Sequence, residues 1–414
     1  MNHSQGVPVL VVGAGVAGLT TALELAETGR SVVLAERSPY VGGRVARFHH
    51  YFPKLCPPSC GLEINVRRLV TNPRITLRTG TTVQAAERVD GHWRVRLETG
   101  PQWVTDRCTG CGKCTEACPA TLPDPFSYGL GEVKAISRPF PAAFPSRFVI
   151  HREACPEGCS ACAEACPYDA VDLSARPQTE ELEVASVVLA TGWAPYPLEK
   201  LEELGGGLPD VVSNVQMERL AAEDGPTGGR ILRPSDGAEP ARVAFVQCAG
   251  SRDVNHLPYC SGVCCLASLK QALYVKEQLP DAGVAVYYID RRAPGRNEDF
   301  LTRVAETAGV RLVKGKVAAV TPVEGGLELT VEDAEASKKL HERADLVVLA
   351  TGMVPAGGTE AFAPARDEDG FLLDDPERGL VVAGVARRPQ DVAASVRDAT
   401  AAAARAWAAA EGRA

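Results

Sequence analysis

The chain has 414 residues, room for roughly two to four domains. Hydrophobic residues make up 45% and charged residues 23%, which excludes a disordered or collagen-like chain. The 52 acidic side chains outnumber the 44 basic ones for a net charge of -8, so no electrostatic case exists for nucleic acid as a partner.

No run approaches the roughly 18 apolar residues that a membrane helix needs. The alanine-rich C-terminal stretch carries Asp391, Arg397, Asp398 and Arg405. The chain enters its first apolar run, residues 7–12, without a basic leader, so a cytoplasmic protein is expected. In that compartment 14 cysteines point to metal or redox chemistry rather than to disulfides.

Residues 7–36 read as strand, glycine turn, helix and second strand. The turn Gly13-Ala14-Gly15-Val16-Ala17-Gly18 is followed 18 positions later by Glu36, the dinucleotide-binding fingerprint in its proper context. Gly13 permits the tight turn, Gly15 lets backbone approach a pyrophosphate, and Gly18 lets the helix pack on the strand. Glu36 is expected to accept from ribose hydroxyls. Next come Gly42-Gly43-Arg44 and the pair Cys56 and Cys60, which is either a flavin-adjacent dithiol or part of a rigid proline-rich loop.

Cys108, Cys111, Cys114 and Cys118-Pro119 form the bacterial ferredoxin run, and Cys155, Cys159, Cys162 and Cys166-Pro167 repeat it with one extra residue in the first gap. Because the fourth cysteine of such a run reaches the other cluster, Cys108, Cys111, Cys114 and Cys166 are assigned to one [4Fe–4S] cluster. Cys155, Cys159, Cys162 and Cys118 are assigned to the second.

A strand over residues 243–246 then leads into Gln247-Cys248-Ala249-Gly250-Ser251-Arg252, without a glycine fingerprint, so direct nicotinamide binding is disfavoured there. Cys248, Cys260, Cys264 and Cys265 are a third group, which spacing alone leaves open between buried thiols and a cluster. The phrase Val-Val-Leu-Ala-Thr-Gly occurs twice, ending at Thr191-Gly192 and at Thr351-Gly352.

Gly42-Gly43-Arg44, the repeated phrase and the segment 379–386 resemble two-dinucleotide-domain flavoproteins related to thioredoxin reductase. That resemblance implies FAD on the first domain, with Gly43, Arg44, Thr191, Gly192 and Gly384 near it. Those enzymes have Gly-Asp where this chain has Gly384-Val385, so no ribityl-binding Asp carries over. Tyr259-Cys260-Ser261-Gly262-Val263-Cys264-Cys265 followed by Lys270 resembles the signature of HdrA, the flavin-bearing subunit of heterodisulfide reductase. It implies a third [4Fe–4S] cluster and makes Lys270 a flavin-proximal candidate, beside its other reading as a solvated helix lysine.

The phrases at 42–45, 51–65, 214–219, 225–229 and 247–260 are similar to QmoA, the HdrA-like flavoprotein of the quinone-interacting membrane-bound oxidoreductase. This implies QmoB-like and QmoC-like partner subunits, adenylylsulfate reductase as electron partner, exchange with menaquinone, and indirect membrane contact at the inner face of the cytoplasmic membrane. The alternative is an HdrA subunit of a soluble, bifurcating heterodisulfide-reductase-like complex.

The expected fold is α/β: a thioredoxin-reductase-like flavoprotein with two Rossmann-like domains and an inserted α+β ferredoxin-like domain. Residues 1–104, 171–240 and 345–414 are expected to form the FAD-binding domain. Residues 105–170 would be the insert with two [4Fe–4S] clusters, and 241–344 the second Rossmann-like domain with the cysteine-rich motif.

Overall fold

The structure, a computed structural model, describes residues 6–52, 54–295, 297–335 and 337–412. Two compact units divide the chain: Met1–Trp193, Pro355–Arg388 and Val392–Ala414 form unit 1, and Ala194–Val354 with Pro389–Asp391 form unit 2.

Unit 1 opens with β1 (Val9–Val12), α1 (Val16–Glu27), β2 (Val32–Glu36), α2 (Pro58–Thr71) and β3 (Ile75–Thr79). Strands β4 (Thr81–Val89) and β5 (His92–Thr99) form a hairpin. The insert follows, with α3 (Lys113–Ala117), the hairpin pairs β6 (Thr121–Pro123) with β7 (Glu132–Lys134) and β8 (Ile136–Ser137) with β9 (Val149–Ile150), and α4 (Ala161–Glu164). Then come β10 (Gln178–Val184), β11 (Ser186–Leu189) and β12 (Trp193–Pro195), which leads into unit 2.

Unit 2 holds β13 (Val211–Ser213), α5 (Asn214–Ala221), β14 (Arg242–Ala249), α6 (Cys264–Gln278), β15 (Gly283–Tyr288) and α7 (Asn297–Ala305). It continues through β16 (Val310–Val323), β17 (Gly326–Asp333), β18 (Lys338–Ala344) and β19 (Leu346–Thr351). The chain returns to unit 1 through β20 (Met353–Pro355) and ends with β21 (Leu380–Val382) and α8 (Val392–Ala410).

The unit 1 sheet has the order β21-β11-β1-β2-β3, all parallel. Its strands are apolar on both faces because both are covered. Val9, Val11, Val32 and Leu34 pack with Leu19, Ala22 and Leu25 of α1 and Ala402 and Ala406 of α8. Leu10, Val12, Val33 and Leu189 face Trp93, Val95 and Leu97, so the three-stranded sheet β10-β5-β4 forms the opposite layer. The alanine-rich α8 thus packs its buried stripe in a core, and among the described residues no helix is long and apolar enough to cross a membrane.

The insert is anchored on this scaffold. Tyr40 meets the rings of Phe126 and Phe140 edge-on at 5.8 and 5.5 Å, and the Val41 N–H donates to Phe144 O at 2.9 Å.

Unit 2 repeats the arrangement, with the order β13-β19-β14-β15-β16 parallel and β17 and β18 added antiparallel. Residues 194–240, expected in the FAD-binding domain, lie in unit 2, as do 345–354. The reason is the sheet: β13 and β19 pair with each other and β19 pairs with β14. The two Val-Val-Leu-Ala-Thr-Gly phrases supply β11 beside β1 and β19 beside β14, equivalent places in two sheets of one design.

Candidate cofactor sites

In unit 1 the β1–α1 turn opens where the chain runs from β1 toward β2 on one side while β11 lies on the other, the switch point at which such sheets bind ligands. Two of the three fingerprint glycines are demanded by the protein itself. A Cβ on Gly13, whose φ is +103°, would stand 2.5 Å from Ala190 O, and one on Gly18 would stand 1.7 Å from Gly13 O. Gly15 differs: its φ is -74°, and a Cβ there would meet nothing nearer than Gly43 Cα at 3.8 Å. Packing does not explain this glycine, whereas a ligand backed against it does. The turn also leads directly into the N-terminus of α1, where unpaired N–H groups favour an anion.

Glu36, buried at the end of β2, accepts from the Ala14 N–H at 2.6 Å and the Ser38 N–H at 2.7 Å. It therefore braces the turn as well as presenting acceptor capacity for hydroxyls. Gly42 and Gly43 close over the turn, with the Gly42 N–H donating to Ala14 O at 2.8 Å. The Arg44 Nε donates to Trp193 O, and its guanidinium lies over the Tyr128 and Trp193 rings. Thr191 Oγ1 is buried without a hydrogen-bond partner among the described residues. Gly192 and Gly384 both take positive φ, +73° and +70°, and the Gly384 N–H donates to Asp398 Oδ2 at 2.7 Å. A cradle with a spare glycine, an orphaned hydroxyl and an acidic residue at the strand end fits a dinucleotide.

In the insert, Cys108, Cys111, Cys114 and Cys166 line one small recess that is partly open to solvent. Three of its thiols come from the first run and the fourth from the second. Gly110 and Gly112, at φ +74° and +84°, turn the backbone around it. Of the other set, Cys162 is buried in the same small core as Cys118. Burial pushes the Cys162 thiol up, and its neighbours Cys155 and Cys159 push it further. Cys114 is likewise raised by burial, with Cys108 adding to it.

In unit 2, Cys248 is the last residue but one of β14, at φ +57°, Cys260 lies on the following loop, and Cys264 and Cys265 open α6. Burial raises the Cys264 thiol far above its ordinary value, and Cys248, Cys265 and Cys260 all add to the rise. The other three thiols thus lie near enough to Cys264 to act on it electrostatically, and Cys264 and Cys265 stand at a helix N-terminus, where the dipole favours thiolates. Among the described residues no three His, Cys, Asp or Glu side chains close on a point as a single metal ion requires. All fourteen cysteines are unpaired thiols.

Cys56 precedes the Pro57 cap of α2 and Cys60 lies in its first turn, exposed. Burial raises the Tyr51 hydroxyl, and Cys60 and then Cys56 raise it further. The Tyr51 N–H donates to Cys56 O at 3.1 Å.

Lys270 is not a solvated helix lysine. It is 5% exposed and pairs with Glu218 of α5 at 2.9 Å. Glu218 lies 52 residues away in sequence, so no local pattern announces the pair. The nearest signal is the capping box of Ser213 and Gln216, which fixes where α5 begins and so places Glu218 on its buried face.

Comparison with known proteins agrees with this geometry. A family model described as an NAD(P)-binding Rossmann-like domain matches residues 11–74, and one described as a 4Fe-4S dicluster domain matches residues 107–171. The chain is 37% identical over 416 aligned residues to the HdrA-type subunit of the H(2):CoB-CoM heterodisulfide,ferredoxin reductase of Methanothermobacter thermautotrophicus, covering 96% of this chain and 63% of that protein. It is 38% identical to the iron-sulfur HdrA-type subunit, numbered 2, of the CoB--CoM heterodisulfide reductase of Methanopyrus kandleri, with the same coverage. The chain thus spans somewhat less than two thirds of the length of these relatives. Among solved structures, Lactococcus lactis thioredoxin reductase superposes with a TM-score of 0.56 at 12% identity, covering 98% of this chain and 99% of that one, a likeness of fold. Over nearly its whole length, then, the chain is similar to the A subunits of heterodisulfide reductases.

Proposed function

We propose that the chain is the FAD- and iron–sulfur-bearing electron-transfer subunit of a heterodisulfide-reductase-like complex. The observation that carries this reading is the conjunction, in one chain, of a dinucleotide cradle whose Gly15 the fold does not require with twelve cysteines that fall into three groups along the sequence, four of them lining one recess. FAD exchanges electrons in pairs or singly and each cluster carries one, so the two together join two-electron to one-electron chemistry.

The residues have distinct tasks. The N–H groups at the start of α1 hold a pyrophosphate, Glu36 a ribose, and Gly43, Arg44, Thr191, Gly192 and Gly384 line the remainder of the cradle. Cys108, Cys111, Cys114 and Cys166 hold one cluster of the insert, Cys155, Cys159, Cys162 and Cys118 the second, and Cys248, Cys260, Cys264 and Cys265 a third. The recess at Cys111, whose side chain is exposed, offers a one-electron partner its approach.

The relatives are named as HdrA-type subunits of reductases acting on the CoB-CoM heterodisulfide, and a multi-subunit complex is proposed here on that ground. The sequence phrases at 42–65 and 214–260 favour a second reading, a Qmo complex working between menaquinone and adenylylsulfate reductase with QmoB-like and QmoC-like subunits.

Stopped-flow absorbance of the anaerobically purified chain tests the electron-transfer reading. Reduced ferredoxin is expected to bleach the flavin band, and NADH and NADPH are expected to leave it unchanged, because Gln247-Cys248-Ala249-Gly250 replaces a second glycine fingerprint. Rapid bleaching by NADPH would contradict it and favour a disulfide reductase using Cys56 and Cys60.

A further inference from the structure

The first cysteine set of the insert has a cation beside it. Ile136 of β8 and Phe148, the residue before β9, both line the recess of Cys108, Cys111, Cys114 and Cys166. The two strands pair antiparallel, Ile136 opposite Ile150 and Ser137 opposite Val149, so the next pair in that register is Arg138 and Phe148. Residues two apart on a strand, and residues directly opposite on paired strands, share a face. On both counts Arg138 lies on the face that carries Ile136 and Phe148 to the recess.

The guanidinium is found where this register puts it. A Cβ on Gly110, in the loop between Cys108 and Cys111, would have Arg138 Nη1 as its nearest neighbour at 3.9 Å. Arg138 Nη2 donates to Ser146 Oγ at 2.7 Å, which holds the side chain in place. Nε differs: it is buried and meets no acceptor among the described residues. A buried donor without an acceptor is costly, more so on a charged group, and calls for an explanation. The charge is equally unspent. Arg138 is held by a hydroxyl, whereas Arg107, next to Cys108 in the chain, is neutralised by Asp169 at 3.0 Å.

We propose that Arg138 is a contact residue of the cluster held by Cys108, Cys111, Cys114 and Cys166, its Nε–H donating to a sulfur of that cluster and its charge stabilising the added electron. This rests on the reading of those four cysteines as ligands. Four thiolates around a [4Fe–4S] core are net negative, and hydrogen bonds to the sulfurs and nearby charge are among the levers that set its potential. The step balances: one electron passes from a reduced one-electron donor to the cluster. No bond is made or broken, and no proton moves, since a guanidinium is not deprotonated in proteins.

The sign follows from the charges. The guanidinium attracts the added electron, so reduction is favoured and the potential lies above the value it would have without Arg138. Cys111 is exposed at the same recess, so the cluster tuned in this way is one that a one-electron partner can reach.

Potentiometric titration of the full, anaerobically purified chain, read by low-temperature electron paramagnetic resonance, tests this. The signal that Cys111→Ala removes identifies the cluster. In Arg138→Met that signal is expected at a lower potential, with the equilibrium constant for its reduction down about tenfold, which is about 59 mV for one electron. Arg138→Lys, which keeps the charge and lacks the Nε–H, is expected to fall between the two. An Arg138→Met or an Arg138→Lys potential equal to the wild type overturns the proposal and leaves the cluster standing. Should Arg138→Met lose the signal altogether, Ser146→Ala decides: freeing Nη2 is expected to lower the potential, and an unchanged potential overturns the proposal. Absence of any signal removed by Cys111→Ala overturns the ligand reading, and the proposal with it.

Discussion

The two units use one sheet design for opposite ends. In unit 1, β1 runs into glycines, and the threonine at the end of the adjoining strand, Thr191, keeps a buried hydroxyl without a protein partner among the described residues. In unit 2, β14 runs into Cys248, and the equivalent threonine, Thr351, is occupied on both sides: its hydroxyl donates to Asn214 and its carbonyl accepts from Cys264. One switch point is left open for a ligand, and the other is filled by the chain's own polar groups and thiols. Fold alone therefore does not say what a Rossmann-like sheet binds; the residues at its turn do.

The comparison can be broken most severely at the buried ion pair. Lys270→Met strands the Glu218 carboxylate in the unit 2 core and is expected to cost about 4 kcal/mol. Thermal unfolding of the variant checks this, and Lys270→Met combined with Glu218→Leu should recover most of the loss. A single variant as stable as the wild type would mean that the pair is not buried as described.

The glycine turn sharpens the comparison from the other side. Gly18→Ala places a methyl against Gly13 O and should cost about 3 kcal/mol, with FAD lost as a consequence. Gly15→Ala, at an ordinary φ and with room for the methyl, should change stability by less than about 1 kcal/mol and still abolish FAD binding. Unfolding curves and flavin content measured side by side separate the two; equal destabilisation would deny Gly15 its ligand role.

The glycine fingerprint and the ferredoxin runs were legible in the sequence because each is local: a turn, a strand and a helix within about thirty residues, or thiols spaced to face one cluster. Cys166 lines the recess of the first run although it lies more than fifty residues beyond Cys114, and only the rule for paired runs points to it. The membership of residues 194–240 in unit 2 was not, because it depends on β13 pairing with β19, more than a hundred residues later. Nor were the Lys270–Glu218 pair and the bond from Gly384 to Asp398, since each joins elements whose approach only the folded sheet determines.

The most direct test of the account is the iron and FAD content of the anaerobically purified chain and of its Cys264→Ser variant. Three clusters require about 12 iron atoms with one FAD, falling to about 8 in the variant with FAD retained. A wild-type value near 8 that Cys264→Ser leaves unchanged would contradict the claim that unit 2 has exchanged a nucleotide site for a cluster site.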